Sequence, residues 1–291
     1  MSPPDLHRRR WLTGLGGTAL LTALPLPSQA APEAKLWSRW TAHTPKAGAE
    51  PDHSPWGRFL ETYVKTGPDG INRVAYAEVT HADRDALKRY LDDMAGVVPA
   101  DLNRDAQFAF WANLYNALTV KTVLAHYPVE SIRDIDISPG WFADGPWGKK
   151  LITVDGAELS LDDIEHRILR PIWRDPRVHY AVNCAALGCP NLQVTPWRAR
   201  DLKSRLDAAA RAYVNHPRGV TLRGDGKLVL SSIYDWFRED FGSDTGGLIA
   251  HLRRHATPDL VAALTQDSEI AAYRYDWALN DAKAAPTSGA S

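Results

Sequence analysis

The chain has 291 residues, with 34 basic and 35 acidic side chains and a formal net charge of -1. That balance excludes bulk electrostatic capture of nucleic acid or of an anionic membrane surface. With 44% hydrophobic and 24% charged residues the composition is that of a globular protein, and two cysteines are too few for a disulfide-built scaffold.

At the start, Arg8, Arg9 and Arg10 precede an apolar stretch from Trp11 to Leu26, and Ser28-Gln29-Ala30 has the small-x-small form of a cleavage site. The arginines directly before Trp11-Leu12 also have the form of a twin-arginine export signal. Residues 1–30 are therefore expected to be a removable signal, and the working compartment the bacterial periplasm, where thiols can oxidise. The apolar run is short for a membrane span, so no membrane association is expected after cleavage. Residues 31–54 read as a linker, 55–281 as one globular domain and 282–291 as a loose polar tail.

In the body, Ser54-Pro55 supplies a helix N-cap and an N1 proline, predicting a helix to about Val64. Residues 71–77 read as a strand and 81–95 as an amphipathic helix. The longest helix is expected over 103–126, ending before Pro128. Leu151 to Leu159 has the pattern of a hairpin turning at Asp155-Gly156. Ser160 to Asp163 resembles a capping box, opening a helix that Pro171 should end or kink. Val178 to Asn183 reads as a short buried strand and 197–215 as helix. A second hairpin is expected at Gly224-Asp225-Gly226, helices over 232–240 and 244–256, and a closing strand over 270–278. Helices and short strands mix without a regular βαβ rhythm, which predicts an α+β fold with helices on a small mixed or antiparallel sheet.

Three segments carry polar residues where the pattern calls for apolar ones. The helix around Phe108–Leu118 is apolar nearly all round, so Asn113 and Asn116, three apart on one face, must tie it to neighbouring backbone or point into a site. In the helix from Ser160, Glu165 falls inside the Leu161–Ile164–Ile168–Leu169 stripe, with His166 at its edge. A carboxylate there needs a partner such as Arg167 or Arg170, or a function. The third segment, His179 to Pro190, holds both cysteines. Cys184 and Cys189 could form a disulfide, act with His166 or His179 as a redox or soft-metal pair, or leave Cys184 as a nucleophile. Four intervening residues match neither the C-x-x-C redox signature nor the commonest zinc spacing. There is no P-loop, dinucleotide fingerprint or His-Glu-x-x-His, so no cofactor or metal is expected from motifs.

Three blocks together resemble the domain of unknown function 547 family: Phe110-Trp111-Ala112-Asn113-Leu114-Tyr115-Asn116-Ala117, then Ile164-Glu165-His166-Arg167-Ile168-Leu169, then His179-Tyr180-Ala181-Val182-Asn183-Cys184 with Cys189-Pro190. The likeness runs from about residue 55 to 279, through Tyr234-Asp235-Trp236-Phe237 and Tyr275-Asp276-Trp277. The family looks related to papain- and transglutaminase-like cysteine enzymes. That resemblance implies a Cys–His pair with a polar orienting residue, acting on amide or thioester bonds.

The leading expectation is thus an exported cysteine hydrolase or acyl transferase of a peptide or small-molecule substrate. Cys184 would attack, His166 would serve as base and Glu165 would orient the imidazole, with His179 in reserve. Adjacent helical residues point about 100° apart, so Asn113 or Asn116 would become the orienter if Glu165 faces away from His166. The alternatives are a thiol–disulfide redox or soft-metal module built on Cys184 and Cys189, and a non-catalytic scaffold with a structural disulfide. The sequence leaves the oligomeric state open.

Overall fold

Helix α3 (Arg104–His126) runs through the middle of the computed structural model, buried without a break from Ala106 to Val120. The described residues are 32–140, 145–265 and 267–284, and all fall in the unit Ala31–Ser291. The expected export signal and most of the tail lie outside them. Asn103 caps α3 by accepting from Ala106 N–H at 2.9 Å, which satisfies one of the free donors of its first turn. The helix is apolar on every side because other elements surround it.

α1 (Ser54–Tyr63) begins where the Ser-Pro step predicts, although the cap is His53 and the Ser54 N–H is taken by Asp52 Oδ1 at 2.8 Å. A hairpin of β1 (Val64–Thr66) and β2 (Asn72–Val74) follows, then α2 (His81–Ala95), capped by Thr80. β3 (Ile152–Val154) and β4 (Ala157–Leu159) pair around Asp155 and Gly156, whose φ values of 44° and 73° make the left-handed two-residue turn expected. α6 (Leu202–Val214) precedes a third hairpin, β5 (Val220–Leu222) and β6 (Leu228–Ser231). After α7 (Ile233–Trp236), α8 (Thr245–His255) and α9 (Pro258–Ala263), strand β7 (Ile270–Arg274) returns to lie parallel to β6. The fold is α+β. Among the described residues its sheets are two antiparallel pairs and one mixed three-stranded sheet of order β5-β6-β7 rather than a single one.

Three expectations need correction. Residues 178–183 are not a strand: α5 (Val178–Ala181) is one helical turn, and Val178, His179, Tyr180 and Ala181 are all buried. Burial on every side removes the periodicity that separates a short helix from a short strand. The stretch read as a linker is packed on the body. Trp40 is 3% exposed and meets Trp111 edge-on at 5.1 Å, while His53 is buried against the Tyr90 hydroxyl at 2.7 Å.

The third correction is to one of the two outcomes expected at Pro171, an end or a kink: the helix does not end there. The turns before it widen into a π-helical segment over Asp163–Leu169, where Arg170 N–H bonds the Glu165 carbonyl, and α4 (Arg170–Trp173) continues to a left-handed Arg174. Proline offers no N–H to the carbonyls of the preceding turn. Those of His166 and Arg167 are instead taken by the N–H groups of Lys35 at 3.0 Å and Trp37 at 2.9 Å. The sequence before the first helix is thereby strapped to the body, and the Arg167 guanidinium lies 4.3 Å over the Trp37 ring.

Candidate functional site

The chain after α5 makes a tight loop whose geometry is set by buried amides. Asn116, inside α3, donates to Ala181 O at 2.9 Å and accepts Asn183 N–H at 2.8 Å, clamping the strand-like residues that lead into Cys184. Asn183 in turn accepts from Ala185 N–H at 2.9 Å and donates to Pro190 O at 2.8 Å, closing the loop on itself. This holds Ala185 at φ 62°, a left-handed conformation that a non-glycine residue adopts only under such constraint. Asn113 is used differently. Its amide exchanges two hydrogen bonds with the Trp197 backbone and ties α3 to the approach to α6.

Cys184 and Cys189 are joined as a disulfide with their Cα atoms 6.4 Å apart. Their surroundings are unequal. Cys184 is half-buried, whereas Cys189 is 3% exposed. The Tyr275 hydroxyl, 2.9 Å from Cys189 Sγ and 3.1 Å from Cys184 Sγ, must be the donor because a disulfide sulfur has no proton to give. Cys189 Sγ also receives the Cys184 N–H at 3.1 Å. Burial, then the charges of its neighbours, pushes the Tyr275 phenol well above its usual range, so it stays a donor. Arg218 donates to the carbonyls of Leu187 at 2.9 Å and Cys189 at 2.7 Å, placing a cation behind the loop. The loop rests on the segment after β7, with Leu187 N–H on Ala278 O and Gly188 N–H on Asp276 O, both at 2.8 Å. A Cβ on Gly188 would lie 2.8 Å from Asp276 N, so glycine is required by that approach.

Beside this loop lies a buried acid–base cluster. His179 is gripped at both nitrogens: Nε2 is 2.7 Å from Asp240 and Nδ1 is 3.7 Å from Glu165. Burial works against its charge, but these two carboxylates outweigh it and raise its pKa. Arg170 pairs with Asp240 at 2.6 Å and Glu239 at 3.0 Å, and donates to His166 Nδ1 at 3.2 Å. For Glu165 and Asp240, burial is overcome by the flanking imidazoles and Arg170, so both carboxyls are held at about 2. His166 is pushed down to about 4, by burial first and by Arg170, and is neutral. Asp162, 3.7 Å from His166 Nε2, is pushed up to about 6 by burial and by the charge of Glu165. Glu165 also bears on the phenols of Tyr115 and Tyr275, linking the cluster to the sulfur pair.

Glu165 and His166 are both buried, but the nitrogens of His166 face Arg170 and Asp162 and Glu165 faces His179, so Glu165 does not orient His166 as expected. Neither imidazole presents a lone pair to Cys184. The Nδ1 lone pair of His166 accepts from Arg170, and both nitrogens of His179 face carboxylates. Glu165, His166 and His179 are thus brought together, and Cys184 is brought to Cys189 and Tyr275. Among the described residues, no group of three His, Cys, Asp or Glu is disposed to hold a metal ion, and no helix is long and apolar enough to cross a membrane. A surface cavity of about 530 Å³ lined by His43, Glu50, Arg104 and Arg200 shares no residue with the cysteine site.

Sequence reasoning missed Asp240 and Arg218, and marked Tyr275 within a family-like block without giving it a role. All three reach the site through tertiary contacts from beyond residue 217, with no motif linking them to the cysteines. No curated protein and no solved structure matches the chain. Residues 99–214, from just before α3 through α6 with the π-helical turn and both cysteines between, match the family described as Protein of unknown function, DUF547, over a shorter stretch than the likeness read from the sequence.

Proposed function

We propose that this protein carries out thiol–disulfide exchange through Cys184 and Cys189. The observation that carries the reading is the inequality of the two sulfurs: one half-buried, the other buried and served by two hydrogen-bond donors. A substrate thiolate attacks Cys184 Sγ, and the electron pair of the S–S bond passes to Cys189 Sγ. Cys189 leaves as a thiolate stabilised by Tyr275 O–H and Cys184 N–H, then takes up the proton that the substrate thiol gave to solvent. A second substrate thiol attacks the sulfur bound to Cys184, releasing the Cys184 thiol. Two substrate thiols are thereby oxidised to a disulfide as the protein's disulfide is reduced to a dithiol. The leader expected at residues 1–30 would deliver the chain to a compartment where such a pair is reoxidised. A hydrolase would need a free Cys184 Sγ facing an imidazole lone pair, and the contacts described engage both elsewhere.

The test is intact mass after iodoacetamide treatment with and without reductant, followed by a redox titration. The expected result is no alkylation until reductant is added, and a midpoint above about -300 mV, the region of labile disulfides. A midpoint below that, with Cys189→Ser only lowering stability by about 2 kcal/mol for so short a loop, would make the disulfide structural. Rapid single labelling of Cys184 without reductant would return the hydrolase reading.

A further inference from the structure

Four aromatic rings lead away from the sulfur pair. Tyr275, whose hydroxyl meets both sulfurs, packs its ring 4.7 Å from Trp277 and 4.9 Å from Trp236. Trp236 and Trp277 stack at 5.5 Å, and Trp147 meets Trp277 edge-on at 5.8 Å. All four are half-buried, unlike Trp40, Trp56, Trp111 and Trp197, which are 3% exposed or less. The rings come from three segments distant in sequence: the loop before β3, the end of α7 and the residues after β7. Their contiguity is a product of the fold.

The backbone beneath them is pinned. Ser131 Oγ donates to Trp277 O at 2.7 Å, Asp162 N–H to Trp147 O at 3.1 Å, and the Arg133 guanidinium lies 5.3 Å over the Trp277 ring. Large rings held in place while still partly in water have given up side-chain freedom without the full return of burial. The four rings make one continuous aromatic surface that begins at the sulfur pair and stays partly open to water.

We propose that this platform binds the residue beside the reacting cysteine of the thiol substrate, so that the substrate is a polypeptide carrying an aromatic or large apolar side chain next to its cysteine. The inference rests on the thiol–disulfide reading. Tyr275 makes the sulfur site and the platform continuous. A substrate sulfur within bonding distance of Cys184 carries its neighbouring residue one Cα step, about 3.8 Å, along the chain. From there an aromatic side chain reaches the Tyr275 ring and then the indoles. Ring pairs prefer tilted or offset contacts at centroid distances of about 4.5–7 Å, the spacing these four already keep among themselves.

The experiment is stopped-flow reduction of the oxidised full-length protein by dithiothreitol and by two synthetic peptides differing only in phenylalanine or alanine beside a single cysteine. The phenylalanine peptide is expected to react about fivefold faster. In Trp277→Ala, and separately in the milder Trp236→Leu, that ratio should fall toward one. Equal rates for the two peptides in the unsubstituted protein would overturn the inference while leaving the exchange chemistry intact, because dithiothreitol would still reduce the pair. Failure of dithiothreitol itself would overturn both. A soluble oligosaccharide that quenches the indole fluorescence while the peptide ratio stays at one would assign the rings to a glycan instead. The ratio needs no variant to be measured, so a misfolded substitution leaves the test in force.

Discussion

Replacing Asn116 by Ala separates its role from that of Asn113, these being two of the three side-chain amides that α3 buries. The Asn183 N–H loses its acceptor and is left buried, which costs about 1–3 kcal/mol. The Ala181 carbonyl loses one donor but keeps Trp197 Nε1 at 3.1 Å, so that loss is about 1 kcal/mol. Alanine returns roughly 0.6 kcal/mol of helix propensity. The net loss is about 2 kcal/mol, or a fall in melting temperature of about 4–8 °C for a chain of this size. Asn113→Ala strips both the N–H and the carbonyl of Trp197 and should cost more, about 3 kcal/mol. The two differ in what they hold. Asn116 fixes the residues leading into Cys184, so its loss should change the rate of reduction by dithiothreitol several-fold, and the Asn113 variant should reduce at close to the unsubstituted rate. Circular dichroism melts and stopped-flow reduction read these separately. An Asn116→Ala protein that melts unchanged, or two variants altered alike in reduction rate, would refute the assignment.

Stability should fall on both sides of neutrality. The raised pKa of His179 contributes stability that is complete below about 6.5 and is lost as pH rises through its folded value. Glu165 and Asp240, held at about 2, contribute stability present above about 4 and lost as pH falls through their folded values. His179→Gln should cost about 3–5 kcal/mol near pH 6 and flatten the alkaline side of a urea-midpoint profile, and a slope there equal to that of the unsubstituted protein would count against the paired imidazolium. Asp162 works in the opposite sense to the paired carboxylates, since its folded pKa of about 6 penalises the native state once it ionises. Its side chain is 38% exposed, which blunts the effect, so Asp162→Asn should raise the melting temperature at pH 7.5 by about 2 °C or less and leave it unchanged at pH 3.5. A loss of stability at pH 7.5 would show that its contact with His166 matters more than its burial.

Helix α2, helix α3 and the hairpins turning at Asp155-Gly156 and Gly224-Asp225-Gly226 were legible because each is written locally: a cap residue, a period of 3.6, or a turn requiring positive φ, whereas the β1–β2 hairpin was not. α5 was not, since a run apolar on both faces fits a buried strand as well as a helical turn. The parallel pairing of β6 with β7 joins residues some forty positions apart, and no local pattern announces it. At the site, the sequence marked Glu165, His166, His179, Asn116 and the cysteines as anomalies against the apolar pattern, and offered Arg170 as a partner for Glu165. It could not say that His166 would spend its lone pair on Arg170 or that a tyrosine from the closing segment would stand over both sulfurs. Those are properties of contacts between distant elements, set by the packing around α3.

The π-helical turn over Asp163–Leu169 is geometrically an α-helix with one residue too many. Removing a single residue from it would restore an ordinary helix and rotate everything on one side by about 100° relative to the other. Either Glu165 with Asp162 or Arg170 with α4 would then swing out of the interior, while the helix itself survived. The whole charged cluster is thus one codon from existence or extinction. A single residue gained or lost in this turn therefore decides both whether the acid–base group is interior and whether Leu161 and Ile164, fully buried beside it, keep their place in the core.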